Sequence, residues 1–268
     1  MKIATFNING VKARINALTD WLTESAPDVA LLQEIKSVDE NFPRDVFEDM
    51  GYNVETHGQK GFNGVAVLSK LPLEDVTRGL PGDDSDEQAR WIEATVVGDQ
   101  ALRICGLYLP NGNPVELNDD GSPVAGGKYA YKLDWMDRLY DRAQDLMAQE
   151  TPALMAGDYN IIPQREDAKR PDAWTKDALH RLPSRQAFRR IVNLGFTEGF
   201  RARQAGAGHY SFWDYQAGAW EKDDGIRIDH FLLTPQCADL MRDCWIESAV
   251  RGREKPSDHV PVWIDLAA

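Results

Sequence analysis

Short apolar runs recur along the whole chain of 268 residues, and they limit its fold more than any other feature. Each run has four to eight residues, which is the usual length of a buried strand. None approaches the roughly 20 apolar residues that a membrane-spanning helix needs. The predicted strands are Ile3–Phe6, Val29–Leu32, Val65–Leu68, Trp91–Val97, Leu102–Leu109, Ala153–Ala156, Ile228–Leu233 and Val260–Leu266.

Amphipathic helices are predicted between some of these strands, at Val11–Thr23, Tyr129–Met147 and Ser184–Leu194. Other strands follow one another across short turns, from Val65 to Leu109, which indicates antiparallel pairing. A chain that only alternates strand and helix is therefore excluded. The pattern predicts an α/β sandwich in which mixed sheets are flanked by helices.

Glycine and proline interrupt the pattern in three stretches, Leu80–Asp86, Pro110–Gly127 and Ala205–Gly208. No change in composition accompanies these stretches, so we interpret them as loops rather than linkers. Hydrophobic residues make up 43% of the chain, which is enough to bury a large core. We therefore expect a single domain over residues 1–268.

Acidic residues outnumber basic ones by 43 to 30, which gives a net charge of −13 at pH 7. This balance excludes a protein that coats nucleic acid through bulk positive charge. The segment from Arg165 to Arg203 differs, because it holds ten basic and five acidic residues. Two interpretations are open for it, a solvated helical surface or a local patch that faces phosphates.

Cysteine usage and the N-terminus indicate the compartment. The three cysteines, Cys105, Cys237 and Cys244, lack CxxC spacing, so they predict neither a disulfide framework nor a structural zinc site. The N-terminal segment turns polar at Asn7, too early for the apolar region of a secretory signal. We expect a protein of the reducing cytoplasm.

Polar side chains collect at the ends of the predicted strands. They are Asn7, Glu34, Asp158, Asn160, Asp229, Asp258 and His259. A turn or a surface position explains most of them singly, but carboxylates that share a partly buried cleft need a compensating cation or proton. Oxygen ligands suit Mg²⁺ or Mn²⁺, and the scarcity of candidate His and Cys ligands argues against zinc.

Six motifs in order resemble the exonuclease III family of abasic-site endonucleases, a branch of the endonuclease/exonuclease/phosphatase superfamily. The resemblance spans nearly the entire chain and implies a four-layered α/β sandwich. The motifs are Phe6–Gly10, Leu32–Lys36, Tyr108–Gly112, Gly157–Asn160, Ile226–His230 and Ser257–Pro261.

The resemblance also implies a metal site and a carboxylate–imidazole pair. Glu34 resembles the main Mg²⁺ or Mn²⁺ carboxylate, with Asn7 close by and Asp258 as a further ligand or orienting group. Asp229 and His259 resemble the pair in which the carboxylate fixes the tautomer of the imidazole.

The remaining catalytic candidates follow from the same resemblance. Asp158 is the candidate for activating the attacking water, Asn160 for orienting it and Tyr108 for assisting the leaving group. Whether Asp158 or His259 takes the proton stays open.

The resemblance also implies a substrate site, formed by Asn111 and by four apolar residues. In the family, an apolar pocket holds a flipped-out abasic sugar; the alternative is ordinary sheet core. The residues that match this pocket are Phe212, Trp213, Ile226 and Ile228.

The implied activity is metal-dependent hydrolysis of double-stranded DNA 5′ to abasic sites, with removal of nucleotides or blocking groups from 3′ ends. The protein is expected to act as a monomer away from membranes. Two features depart from the family pattern: Asn9 replaces an Asp of some members, and the loop Asn113–Gly127 is acidic.

Two alternatives are weighed against this activity. A superfamily phosphatase or non-specific DNase characteristically has a second catalytic His where this chain has Tyr108. An inactive binding module has no reason to hold unpaired carboxylates together.

Overall fold

Twelve strands form two six-stranded sheets in the computed structural model, which describes residues 1–267. The strands are β1 Lys2–Asn7, β2 Val29–Gln33, β3 Asn53–His57, β4 Val65–Ser69, β5 Leu73–Arg78, β6 Trp91–Val96, β7 Leu102–Tyr108, β8 Ala153–Asp158, β9 Thr197–Glu198, β10 Asp229–Leu233, β11 Met241–Ile246 and β12 Val262–Leu266. The helices are α1 Val11–Ser25, α2 Arg44–Glu48, α3 Lys128–Ala148, α4 Leu182–Val192, α5 Gly199–Arg203 and α6 Pro235–Ala238.

Both sheets are mixed, as predicted. The first has the strand order β11-β12-β1-β2-β4-β3, and the second has the order β5-β6-β7-β8-β10-β9. Only β1 with β2 and β7 with β8 pair in parallel among the described residues. The predicted α/β sandwich of mixed sheets is confirmed.

The central strands bury side chains on both faces, which explains their continuous apolar runs. Ile3 of β1 and Ile104 of β7 lie in the core between the two sheets. Ala4 and Phe6 point to the other face of the first sheet, where they pack with Trp21 of α1. Helices α3 and α4 cover the outer face of the second sheet, so the sandwich has four layers.

The two parallel pairs bring polar strand ends to matching positions. Asn7 aligns with Gln33 at the end of β1 and β2, and Tyr108 aligns with Asp158 at the end of β7 and β8. Asp229, at the start of antiparallel β10, also aligns with Asp158. Each sheet therefore presents polar side chains where its parallel strands end.

No helix within residues 1–267 is both long enough and apolar enough to cross a membrane.

Candidate active site

Asn7 joins the two sheets at their polar ends. Its amide nitrogen Nδ2 donates to Glu34 Oε1 at 2.9 Å and to Asp158 Oδ2 at 3.0 Å. Glu34 follows β2 of the first sheet, whereas Asp158 ends β8 of the second. One buried amide thus holds two carboxylates from different sheets beside each other.

Asp229 and His259 form a buried carboxylate–imidazole pair. His259 Nδ1 lies 2.9 Å from Asp229 Oδ2, and because a carboxylate only accepts, the proton of this bond is on Nδ1. Ser211 Oγ donates to the same oxygen at 2.6 Å. The imidazole is therefore fixed with its other nitrogen, Nε2, free to face the site.

Burial and the neighbouring carboxylates set the protonation states of His259 and Asp158. His259 Nε2 lies 3.6 Å from Asp158 Oδ2. Burial alone would lower the pKa of His259, but Asp229 and Asp158 raise it to about 10. Burial raises the pKa of Asp158 to about 7, with Asp229 adding to the rise and His259 opposing it. At neutral pH His259 is therefore an imidazolium, and the neighbouring Asp158 is close to its point of ionisation.

Glu34 accepts a hydrogen bond from Asn7 and forms an ion pair with Lys36 of its own motif. Lys36 Nζ lies 2.8 Å from Glu34 Oε2 and donates to Asn9 Oδ1 at 2.5 Å. These bonds outweigh burial and lower the pKa of Glu34. Asp258 accepts from Asn9 Nδ2 at 3.1 Å, so it reaches Glu34 through Asn9 and Lys36 rather than directly.

Tyr108 and Asn160 lie on the second sheet's side of the site. Burial, with the charges of Glu34 and Asp158, raises the pKa of Tyr108 well above its usual range, so its hydroxyl stays protonated and can donate a hydrogen bond. Asn160 N–H donates to Asp158 Oδ1 at 2.8 Å. Asn111 Nδ2 donates to Asn160 Oδ1 at 3.0 Å, which connects the two loops after β7 and β8.

The residues predicted to form an apolar pocket separate into two groups. Ile226 and Ile228 share a small cluster with the partly exposed Phe212, whose ring lies 5.0 Å from that of His259. Trp213 instead packs in the core beneath the first sheet, against Tyr210 and Trp220. The structure therefore brings three of the four predicted residues together, and Trp213 is not among them.

The donor set fits a hard divalent cation. Asp158 and Asp229 offer oxygen atoms within 4.8 Å of each other, and Glu34 lies one amide away across Asn7. His259, protonated at neutral pH, offers no ligand atom and adds positive charge instead. Lys36 and the imidazolium balance only part of the negative charge of Glu34, Asp158, Asp229 and Asp258. Oxygen atoms with excess negative charge are the ligands that Mg²⁺ and Mn²⁺ prefer.

The basic segment from Arg165 to Arg203 is partly neutralised. Five of its ten basic residues are paired with carboxylates, in the pairs Arg165–Asp172, Lys169–Asp223, Arg170–Asp224, Arg190–Asp137 and Arg201–Asp167. Both interpretations of this segment therefore stay open. The acidic loop Asn113–Gly127 folds on itself through a bridge between Leu117 and Pro123.

Three polar residues of the site were given no role in it from the sequence. Lys36 stands inside the motif Leu32–Lys36, and its charge beside Glu34 was the available signal. Ser211 precedes the apolar residues of the pocket, and nothing in its sequence context points to Asp229. Lys132 lies on α3, where a lysine is unremarkable until its burial is seen.

Comparisons with known proteins identify the family of this chain. Residues 4–259 match the model of the Endonuclease/Exonuclease/phosphatase family. Exodeoxyribonuclease III of Haemophilus influenzae is 34% identical, over 99% of this chain and 100% of that protein. An AP endonuclease structure from Archaeoglobus fulgidus is 35% identical with a TM-score of 0.90, and each chain is covered completely.

A third comparison is with a 3′ phosphatase from Neisseria, solved bound to a product DNA hairpin. It is 32% identical with a TM-score of 0.91, and 99% of each chain is covered. The match to the family model covers most of the chain, and relatives above 30% identity cover it almost entirely. The chain belongs to the Endonuclease/Exonuclease/phosphatase family.

Proposed function

We propose that this protein is a metal-dependent DNA repair phosphodiesterase. It hydrolyses the backbone of double-stranded DNA 5′ to abasic sites and removes nucleotides or blocking groups from 3′ ends. The observation that carries the proposal is the Asn7 amide, which holds Glu34 and Asp158 together beside the Asp229–His259 pair. Relatives named as an exodeoxyribonuclease, an AP endonuclease and a 3′ phosphatase support the choice of DNA as substrate.

Asp158 is the general base of the proposed reaction. A base works best when its pKa lies near the working pH, and that of Asp158 is about 7. His259 has the opposite character, because its pKa of about 10 keeps it protonated at neutral pH. Asp158 therefore takes the proton of the attacking water, and Asn160, bonded to Asp158, orients that water.

His259 stabilises the charge that develops on the phosphate. Its Nε2–H faces the site while Asp229 holds Nδ1, so the imidazolium offers a fixed hydrogen-bond donor. Tyr108, whose high pKa keeps it protonated, donates toward the leaving oxygen. His259 is buried and Tyr108 is half-buried, which strengthens their interaction with a negative group.

Glu34, Asn7 and Asp258 would hold a Mg²⁺ or Mn²⁺ ion. When bound, such an ion neutralises the scissile phosphate and the departing oxygen. Lys36 pairs with Glu34 Oε2, and the other carboxylate oxygen, Oε1, faces Asn7 and the second sheet.

The abasic site is recognised by Phe212, Ile226 and Ile228. Phe212 presents its partly exposed ring beside His259, and the buried side chains of Ile226 and Ile228 pack beneath it. A deoxyribose without a base is extruded at lower cost than an intact nucleotide, so an apolar site of this kind favours the lesion.

The protein acts as a monomer in the cytoplasm. One chain supplies every residue of the proposed site, and the three buried cysteines are free thiols. Both features suit a single copy in a reducing compartment.

The test is incision of one duplex oligonucleotide with and without a single abasic site, resolved on a gel. We expect Mg²⁺-dependent cleavage 5′ to the lesion that leaves a 3′-hydroxyl, and little cleavage of the intact duplex. Equal cleavage of both duplexes identifies a general nuclease. Undiminished activity in excess EDTA contradicts the metal requirement.

A further inference from the structure

Lys132 of α3 is fully buried beneath the two loops that follow β7 and β8. Its ammonium Nζ donates to the carbonyl oxygens of Pro110 and Asn111, each at 3.1 Å, and to that of Asn160 at 2.7 Å. An ammonium has three donors, and all three are used. The first two carbonyls follow β7 and the third follows β8, so one side chain binds both loops.

The loops close tightly over this side chain. Gly112 has a φ of +88°, and a Cβ on it would lie 2.6 Å from Lys132 Cδ. A glycine is therefore required where the first loop crosses the lysine stem. Burial lowers the pKa of Lys132 to about 7, and the charges of Asp158 and Asp177 oppose that change. Burying a charged amine is costly, and here the three carbonyl oxygens offset that cost.

Asn160 is the residue that the ammonium holds most closely. It has a φ of +47°, in the left-handed region where only Asn, Asp and Gly are common. This turn directs its carbonyl to Lys132, its N–H to Asp158 Oδ1 and its Nδ2 to the carbonyl of Leu109 at 2.9 Å. A shift in the Asn160 backbone would thus turn the Asp158 carboxylate.

We propose that Lys132 is a positioning residue, which fixes the left-handed turn at Asn160 and so aims Asp158 and Asn111 at the scissile phosphate. It touches no reacting atom and acts through the three carbonyls. This inference rests on the proposed function, because it takes Asp158 to be the base that activates the attacking water. Geometry of this kind matters because a displacement of about 1 Å at a reacting group can lower the rate roughly 10²-fold.

The test compares Lys132→Met with Leu146→Ala, a control on the same helix. Leu146 is buried in the core beneath α3, 14 residues further along and about 21 Å away. Both variants lose stability, but only the first leaves the three carbonyls without their donor. We measure kcat and KM for abasic-site incision at a temperature where each variant is fully folded.

We expect Lys132→Met to lower kcat at least about 10-fold with KM within about 3-fold, and Leu146→Ala to keep both values near wild type. Hydrogen exchange at the amides of Leu109 and Asn160 is expected to accelerate in Lys132→Met alone. A kcat within about 2-fold of wild type for folded Lys132→Met overturns the proposal. If Lys132→Met does not fold, Lys132→Gln takes its place, with the same expected values. If neither variant folds, Lys132 has a purely structural role, and the proposal is overturned.

A wild-type protein that cleaves no abasic duplex counts against the proposed function and not against Lys132. In that case the exchange measurement decides. Equal exchange at Leu109 and Asn160 in Lys132→Met and wild type overturns the positioning role.

Discussion

Neighbouring charges divide the acid and base roles between two residues of the site. Asp229 and Asp158 together raise the pKa of His259, while burial raises that of Asp158. Sequence reasoning named both residues and left open which one takes the proton. It could not choose because the choice depends on burial and on a 3.6 Å contact between residues 101 positions apart.

The pH profile tests this division of roles. A base that must be ionised and an acid that must be protonated give activity that rises with pH through about 7 and falls through about 10. Asp229→Asn removes a charge that raises the pKa of His259, so the alkaline limb moves to lower pH. We also expect kcat to fall about 10²-fold or more.

The measurement is the pH dependence of kcat/KM for incision, with folding checked by circular dichroism at each pH. Asp243→Asn, at an exposed carboxylate of β11, serves as the control. An alkaline limb that stays in place in Asp229→Asn would refute the assignment of His259 as the acid.

Edge strands are the elements that the sequence did not reveal. All eight predicted runs overlap observed strands, whereas β3, β5, β9 and β11 went unpredicted, and these four are the edges of the two sheets. Strand β5, for example, has no buried residue. An edge strand is partly solvated, so its sequence lacks the apolar run that marks a central strand.

Gly157 allows the close parallel pairing of β7 and β8 that carries Tyr108 and Asp158. A Cβ at this position would lie 1.9 Å from the carbonyl oxygen of Leu107. We therefore expect Gly157→Ala to lower the free energy of unfolding by at least about 2 kcal/mol, because the backbone of β7 must move.

Urea unfolding measures this effect, and Gly51→Ala is its control. Gly51 has open space around its Cβ position, so any cost there comes from its φ of +87° alone. A Gly157→Ala protein as stable as wild type would show that the strands separate without cost.

The packing of the two sheets supports a further statement about the whole molecule: we propose that residues 1–268 form a single domain. Strands of both sheets share one central core. The site itself requires both sheets, since Asn7 and Asp158 are 151 residues apart in sequence. No local pattern predicts such a contact, and only the resemblance of the six motifs to a known family brought these residues together beforehand.

A buried ion-pair network makes the stability of the molecule depend on pH. Arg227 is buried and donates to Asp167 and to Glu198, each at 2.8 Å. Burial would raise the pKa of Glu198, but Arg227 and His230 outweigh it and lower the pKa to about 2. Because this folded value lies below the ordinary 4.5, the stabilisation is complete above about pH 4.5 and is lost as the pH falls toward 2.

Glu198→Gln is expected to flatten the loss of stability between pH 4.5 and 2, since Glu198 contributes up to about 3 kcal/mol to that slope. Urea titrations at several pH values measure it, with the exposed Glu87→Gln as control. An unchanged slope in Glu198→Gln would mean that this carboxylate titrates normally.

A single unfolding transition by two probes is expected throughout, as one domain requires.

Single-turnover incision by Asp158→Asn tests the central claim most directly. The substrate is a duplex with one abasic site at saturating Mg²⁺, and DNA affinity is measured in parallel. We predict a fall of about 10²-fold or more in the rate of the chemical step, with DNA affinity within about 3-fold of wild type. A folded Asp158→Asn protein that cleaves within about 2-fold of the wild-type rate would contradict the account.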